Sequence, residues 1–447
     1  MSAALGPRGA RRGAWALLCL FLSGCLPLDH TPLEEQPFYG GTREAIAGFA
    51  APPARAGPLR AGAARVELTP PAGVPLGGHG GRRSAGVHDP VYARALVLAN
   101  GLTTVALVSA DLLAVADHLA GAVARAVARE LPVAPEGLMI AATHTHSGPG
   151  ALGRRLWERA AAGSFDPAFF DHTVERLARA VAEAHARLEP VWLTERRFEA
   201  PDLIANRRVR GGAVDPKVRV LVLDARGSPR RSYLVNFAAH ATVLGKGNRL
   251  VSGDYPGFLC RTLEEQGDAV ALFTAGAVAD QRPKPPEGQD PFARAEKMGR
   301  LLAERVRAAP ALAPPRAGAA LWARAVEVPL PPPQIKVTRT RRLPSFVGSL
   351  FLDRTARLQV LGIDSLLLAG IPAEVGAEVG LEWKDRARAA GMELLVVSLA
   401  NDYVGYVLPA PRYADPVYEA RMALYGPHLA EYLGRFLLAA LGGGQGR

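Results

Sequence analysis

The stretch of this chain best equipped for chemistry is Thr143-His144-Thr145-His146-Ser147-Gly148-Pro149-Gly150. Two imidazoles lie two residues apart at the end of the apolar run Leu138-Met139-Ile140-Ala141-Ala142, and a Gly-Pro-Gly segment follows at once. Imidazole is a metal ligand and a proton carrier near neutral pH. If the strand continues through both residues, positions i and i+2 share a face. The rings would then emerge side by side where strand gives way to loop. That is a common address for metal chemistry, provided that further ligands arrive from elsewhere in the chain.

Three other segments have the same design. Leu234-Val235-Asn236-Phe237-Ala238-Ala239-His240 delivers a histidine at the end of an apolar strand. Leu366–Ile371 runs into Pro372-Ala373-Glu374, a carboxylate at an expected helix start. A further strand ends in Asn401-Asp402-Tyr403-Val404-Gly405-Tyr406. Each is weak alone. A solitary histidine at a strand end is more often structural, a glutamate at a helix N-terminus is usually dipole electrostatics, and a loop tyrosine usually packs. Together, four strand ends offer His, His, Glu and Tyr. Active sites of α/β proteins favour such ends because the sheet fixes the side chains and the loops shape the pocket.

The elements that must position these residues read as mixed α/β. Strands are expected at 63–68, 91–99 and 102–109, the last two joined at an Asn100-Gly101 hairpin signal. Helices are expected at 113–130, 151–163 and 166–187, the last capped by Asp166 with Pro167 in its first turn. Further strands fall at 190–198, 217–224, 231–239, 269–275, 357–363, 365–371 and 393–399. Helices fall at 254–267, 290–308 and 374–389, with a C-terminal helical region broken at Gly426-Pro427. Residues 310–350, rich in Pro and Arg, read as the least regular part. No repeat divides 61–447, so the simplest architecture is one large α/β domain with a mixed sheet and flanking helices.

The 447 residues carry 49% hydrophobic and 21% charged side chains, a globular composition. The net charge of +11 is almost wholly arginine, since lysine occurs only at 217, 246, 284, 297, 336 and 384. The arginines are dispersed, and Ala, Gly and Pro are abundant too, so biased composition explains the charge better than nucleic-acid binding. The N-terminus has Arg8, Arg11 and Arg12, then an apolar stretch Ala14–Phe21 too short to span a bilayer. It ends in Leu22-Ser23-Gly24-Cys25, which resembles a bacterial lipoprotein cleavage box. The resemblance implies a signal peptide over 1–24, a lipidated Cys25, and a Pro/Gly/Ala-rich tether over 25–60. Leu26 after the cysteine favours an outer-membrane destination in the cell envelope. With Cys25 acylated, only Cys260 remains and no intrachain disulfide forms.

The motifs, in this order, resemble those of the neutral/alkaline non-lysosomal ceramidases. The segments are Gly86-Val87-His88-Asp89-Pro90-Val91-Tyr92-Ala93-Arg94, the double-histidine stretch, Asn206-Arg207, and Asn236-Phe237-Ala238-Ala239-His240 with Ser252-Gly253-Asp254. Pro372-Ala373-Glu374, Asn401–Tyr406, Tyr418-Glu419 and Leu424-Tyr425-Gly426-Pro427 complete the set. The resemblance implies one catalytic zinc held by His144, His240, Glu374 and Tyr406, with His146, Arg207 and Tyr418 as catalytic or substrate-contacting groups. It implies an amidohydrolase that cleaves the amide bond of ceramide or a related N-acyl lipid by metal-activated water. Arg207 and Tyr418 would steady the oxyanion, and His146 would protonate the departing amine. His88, Asp280 and Arg282 are candidate substrate contacts.

The chain departs from the family at two places. Where the family reads Gly-Asp-Val-Ser-Pro-Asn, this chain reads Gly276-Ala277-Val278-Ala279-Asp280-Gln281, so Ala279 stands in place of an active-site serine. The family also carries a C-terminal β-sandwich domain that the residues up to Arg447 do not supply, and the acyl group on Cys25 is expected to take over its part in membrane engagement. The alternatives are a zinc hydrolase of a different amide or ester, or a non-catalytic lipid-binding lipoprotein. No Gly-x-Ser-x-Gly nucleophile elbow is present.

Overall fold

Three strand–helix–strand units organise the molecule, seen in a computed structural model that describes residues 25–265 and 267–442. In each unit two parallel strands are joined by a crossover helix, as parallel pairing requires. Thr104–Ala110 and Leu138–Ala142 flank helix Asp117–Glu130. Arg231–Phe237 and Ala269–Ala275 flank helix Asp254–Glu264. Leu366–Ile371 and Glu393–Ser398 flank helix Ala377–Ala389. Antiparallel strands join these units into two sheets, one of eight strands and one of five.

The eight-stranded sheet runs from Ala269–Ala275 through Arg231–Phe237, Lys217–Ala225, Glu189–Glu199, Arg60–Glu67, Tyr92–Ala99 and Thr104–Ala110 to Leu138–Ala142. Its two edges curl toward each other, so that the Ser109 hydroxyl donates to the Phe273 carbonyl at 2.6 Å. The five-stranded sheet orders Ala56–Pro58, Gly318–Pro329, Thr355–Ile363, Leu366–Ile371 and Glu393–Ser398. The sheets face each other across Leu96, Leu107 and Leu234 on one side and Leu361, Leu368 and Leu395 on the other, all buried. Helices cover both outer faces, with Leu177, Leu259 and Leu302 packed on the larger sheet and Trp383, Leu433 and Phe436 on the smaller. The expected α/β class is therefore present, with its mixed sheet divided into two stacked sheets.

Cross-sheet hydrogen bonds gather the C-terminal strand ends of all three units. The Ile140 amide donates to Asn401 Oδ1 at 2.9 Å, the Asn401 amide donates to the Ile140 carbonyl at 2.8 Å, and Asn236 Nδ2 donates to the Val396 carbonyl at 2.9 Å. Residues that follow these ends are thereby held in one place.

Four expectations need correction. The segment 25–60 is not a loose tether: Leu33, Tyr39 and Phe49 are buried against helix Leu429–Ala440, and Ala56–Pro58 pairs with Gly318–Ala320. Enough large apolar side chains lie among its Pro and Gly residues to bury it. The irregular region 310–350 contains a 12-residue strand, Gly318–Pro329, whose Ala-rich sequence hides its pairing. Glu374 does not begin a helix; Glu374–Val375 pairs in parallel with Tyr406–Val407, and the helix starts at Ala377. Finally, the strand before His144 stops at Ala142, and His144 itself has φ of +65°. The signal-peptide segment 1–24 lies outside the described residues.

Candidate active site

His144 and His146 are neighbours for a different reason than strand alternation. With φ in the left-handed region, His144 turns the chain sharply, an unusual backbone state for a side chain with a Cβ. The two rings nevertheless lie 4.8 Å apart, with their Nε2 atoms at 3.4 Å. His240 follows strand Arg231–Phe237 and brings its Nε2 to 2.9 Å from that of His144. Glu374 places Oε2 at 3.4 Å from both of these nitrogens. All three residues are buried.

The hydrogen bonds of the far ring nitrogens fix the tautomers. His144 Nδ1 meets the Leu113 carbonyl at 2.7 Å and His240 Nδ1 meets the Val278 carbonyl at 2.8 Å. A carbonyl only accepts, so each Nδ1 carries the proton and each Nε2 presents a lone pair. Two lone pairs then face each other at 2.9 Å, and Glu374 Oε2 is buried beside them without a hydrogen-bond donor. Protonating a ring to relieve this is opposed by burial, which pushes the His240 pKa well down, helped by the neighbouring His144 and Arg207. An anion-and-lone-pair pocket of this kind fits a cation. Zinc bonds of about 2.0–2.2 Å in a tetrahedron put ligand atoms about 3.3–3.6 Å apart, close to the two 3.4 Å separations seen here.

His146 differs from the other two histidines. It is half-buried, and its Nδ1 is enclosed without a partner. Metal-binding histidines almost always have that nitrogen anchored, as His144 and His240 do. The ring nitrogens of His144, His146 and His240 lie close enough together for a three-histidine metal cluster, but the anchoring singles out His144 and His240. Burial pushes the His146 pKa well below its usual value, with His144 and His79 adding to the effect.

Tyr406 is buried beside Glu374, its partner in a short parallel strand pair. Arg207 reaches the Tyr406 hydroxyl with Nη2 at 3.4 Å and is held from behind by buried Glu419 at 2.6 Å. Burial would raise the Glu374 pKa, yet its neighbours, the Arg207 guanidinium among them, outweigh burial and hold it low. Tyr418 stands edge-on to Tyr406, ring centres 5.8 Å apart, and is half exposed. The structure thus brings His144, His146, Arg207, His240, Glu374, Tyr406 and Tyr418 together.

The three candidate substrate contacts fare differently. Asp280 accepts from Asn206 Nδ2 at 3.0 Å, Gln281 Nε2 at 3.0 Å and the Ala377 amide at 2.9 Å. Its carboxylate is consumed in capping the helix and bracing the small two-stranded sheet of Ile204–Asn206 and Gln281–Pro283, because Ala377 begins a helix whose first amides need acceptors. Arg282 is exposed between buried Gln281 and Pro283, outside the buried cluster. His88 stacks on Phe292 at 3.8 Å and hydrogen-bonds Asp89 at 3.0 Å, outside the cluster as well.

Further residues support this set. Tyr403 donates to Glu374 Oε1 at 2.8 Å. The glycine-rich loop Gly77–Gly81 closes over His146, where Gly78 has φ of +67° and leaves no room for a Cβ beside the imidazole. His79 packs on His146 with ring centres 4.7 Å apart. The density of glycine at 77–81 marks this loop in the sequence, with His79 inside it as a candidate pocket-lining residue.

With this geometry in view, the comparison with known proteins is specific. Residues 60–281 match the family described as neutral/alkaline non-lysosomal ceramidase, N-terminal. That segment belongs to the neutral/alkaline non-lysosomal ceramidase family. It contains His144, His146, Arg207 and His240. The chain is similar to the neutral ceramidase of Mycobacterium tuberculosis, 27% identical over 235 residues, which is 46% of this chain and 37% of that protein. It is similar to the neutral ceramidase of Pseudomonas aeruginosa, 31% identical over 229 residues, 46% of this chain and 34% of that protein. The matched part therefore spans about a third of the length of these relatives.

The ceramidase likeness extends further in three dimensions. The crystal structure of the Pseudomonas aeruginosa neutral ceramidase superposes with a TM-score of 0.76 at 23% identity, covering 86% of this chain and 74% of that one. A ceramidase complexed with C2 gives 0.74 at 21% identity, covering 86% and 75%. These establish a shared fold. Ala279 is fully buried in an apolar cluster with Tyr406, Tyr413 and Ala420.

Proposed function

We propose that this chain is a zinc-dependent amidohydrolase that cleaves the amide bond of ceramide or a related N-acyl lipid. The observation that carries the proposal is the pair of outward-anchored imidazoles, His144 and His240, whose unprotonated Nε2 atoms converge with Glu374 Oε2. These three, completed by Tyr406, would hold the ion. When bound, zinc supplies the Lewis acidity that makes water a nucleophile near neutral pH and polarises a carbonyl.

The protein's own groups supply the rest. Arg207, braced by Glu419, aims its guanidinium at the Tyr406 hydroxyl, where it can neutralise negative charge that grows on a carbonyl oxygen. Tyr418 stands at the open side with a hydroxyl for the same oxygen or for the substrate. His146 is held neutral by burial. It takes a proton as water attacks and returns it to the departing nitrogen. Tyr403 fixes the second oxygen of Glu374, so that this carboxylate keeps one orientation. The alkyl chains of an N-acyl lipid would lie outside this polar centre.

One observation favours a second reading, in which the same centre hydrolyses another amide or an ester. At Ala279 the site carries a methyl group where ceramidases carry a hydroxyl, which removes a polar contact for the substrate. As a further part of the proposal, acylation at Cys25 anchors the protein in a bacterial envelope membrane. No helix among the described residues is long and apolar enough to cross one.

Metal analysis of purified protein, with a hydrolysis screen of ceramides, other N-acyl amides and simple esters run with and without chelator, tests the reading. About one zinc per chain and chelator-sensitive amide cleavage support it. Metal-free protein that hydrolyses none of these would leave the lipid-binding alternative.

A further inference from the structure

Three large apolar side chains are exposed within one short segment, Phe346 at 72%, Leu350 at 73% and Phe351 at 46%. Single exposed hydrophobics are ordinary on protein surfaces. The other exposed large hydrophobics among the described residues are isolated along the chain, so this concentration stands out. Phe346 and Leu350 are four residues apart in a helical turn that begins at Ser345 and continues as the Leu350 amide donates to the Val347 carbonyl and the Phe351 amide to the Gly348 carbonyl. They therefore share one face.

The surroundings are basic. Between residues 332 and 355, Arg339, Arg341 and Arg354 are exposed, while Lys336 turns inward to the Tyr413 and Ala420 carbonyls and Arg342 pairs with Asp29. The segment has the single acid Asp353. Asp353 is turned inward to pair with Arg155, so it does not offset the outer charge. The segment also adjoins the start of the described chain. Leu26, itself exposed, pairs with Arg342, and Arg341 Nη1 donates to the Cys25 carbonyl at 2.9 Å. Cys25 thus lies beside this patch.

We propose that residues 336–354 form a docking surface for an anionic lipid membrane, with Phe346, Leu350 and Phe351 entering the acyl region and the surrounding arginines meeting the headgroups. An apolar wedge rimmed by guanidinium groups matches the order of environments in a bilayer interface: hydrocarbon inside, phosphate outside. A single acyl chain gives only marginal, reversible membrane binding, so a second contact beside Cys25 changes residence on the membrane. The patch is also tied to the candidate active site. Arg155, which pairs with Asp353, precedes helix Leu156–Ala162, whose Trp157 packs on Tyr403 at 5.6 Å. Tyr403 in turn donates to Glu374.

The inference does not depend on acylation or hydrolysis, and its test is free of both. The full chain carrying Cys25→Ser is sedimented with vesicles of phosphatidylcholine containing about one-third phosphatidylserine, and compared with the same protein carrying F346E and L350E. Loss of at least about tenfold in vesicle partitioning, together with weaker binding to pure phosphatidylcholine or at raised salt, is the expected result. A Leu102→Glu control, 68% exposed at a remote hairpin tip, should bind as the parent does. Milder F346S and L350S substitutions, with thermal melts, exclude misfolding. Unchanged partitioning of a folded F346E/L350E protein would overturn the proposal. So would a fall from dimer to monomer on that substitution, which would assign the patch to a second copy of the chain.

Discussion

His144 and His240 point unprotonated Nε2 atoms at each other across 2.9 Å while their Nδ1 atoms are tied to the Leu113 and Val278 carbonyls. Each carbonyl belongs to a loop just after a strand of its unit, so the sheet edges set the separation of the two nitrogens. Without a cation between them this arrangement is repulsive. The backbone as well as the side chains thus prepares a place that could hold a metal ion.

Replacement of His240 by alanine should therefore release the metal. The expected loss of zinc affinity exceeds the roughly 10–100-fold that accompanies loss of an orienting partner alone, and hydrolysis should fall with it. Zinc content and turnover measured on the same preparation check this. A His240→Ala protein with a full complement of zinc would contradict the ligand set.

His146 should behave in the opposite way. His146→Gln is expected to retain zinc while turnover drops by about 10²–10⁴-fold. Gly78→Ala, which places a methyl group against the His146 imidazole and strains a positive-φ position, should lower turnover with zinc retained. Zinc lost in His146→Gln would instead make His146 a third histidine ligand.

Arg94 is fully buried, bonded to Asp111 at 3.0 Å and to Glu264 at 3.1 Å. Arg94→Met would leave two buried carboxylates short of their shared cation. A loss of about 3–5 kcal/mol in unfolding free energy is expected, read by urea denaturation. Zinc content of the protein that remains folded should be unchanged.

Asp254 offers a pH signature. Burial pushes its carboxyl up to about 6, although the amides of Tyr255 and Leu244 partly oppose this. Its folded pKa thus lies above the unfolded value of about 3.9. The folded state holds the proton more tightly, so this stabilising contribution is complete below about pH 4 and lost as pH rises through about 6. Asp254→Asn removes the titration. Its stability relative to the parent should improve by about 2 kcal/mol between pH 4 and pH 7.5, whatever constant offset the amide introduces. Paired urea melts at the two pH values measure this, and a parallel pH dependence would refute it.

The sequence determined much of the local structure. Alternation and apolar runs set strands such as Ala269–Ala275 and Leu366–Ile371, and Asp166-Pro167 set a helix start, because these signals act between near neighbours. The identity of the site residues was also legible, since His144, His240, Glu374 and Tyr406 each follow an apolar strand. Gly318–Pro329 escaped because its pairing partner, Thr355–Ile363, is what makes an alanine-rich stretch a strand.

Only the tertiary structure decided how those residues meet. Strand alternation suggested that His144 and His146 would act as a pair, but a left-handed turn at His144 and carbonyl anchors from distant loops gave His144 to His240. Asp280 looked available beside Ala279, yet Asn206, Gln281 and the Ala377 amide consume its carboxylate. Residue type and order are written locally. Lone-pair direction and the satisfaction of a buried carboxylate depend on partners up to hundreds of positions away, and only the folded chain brings those together.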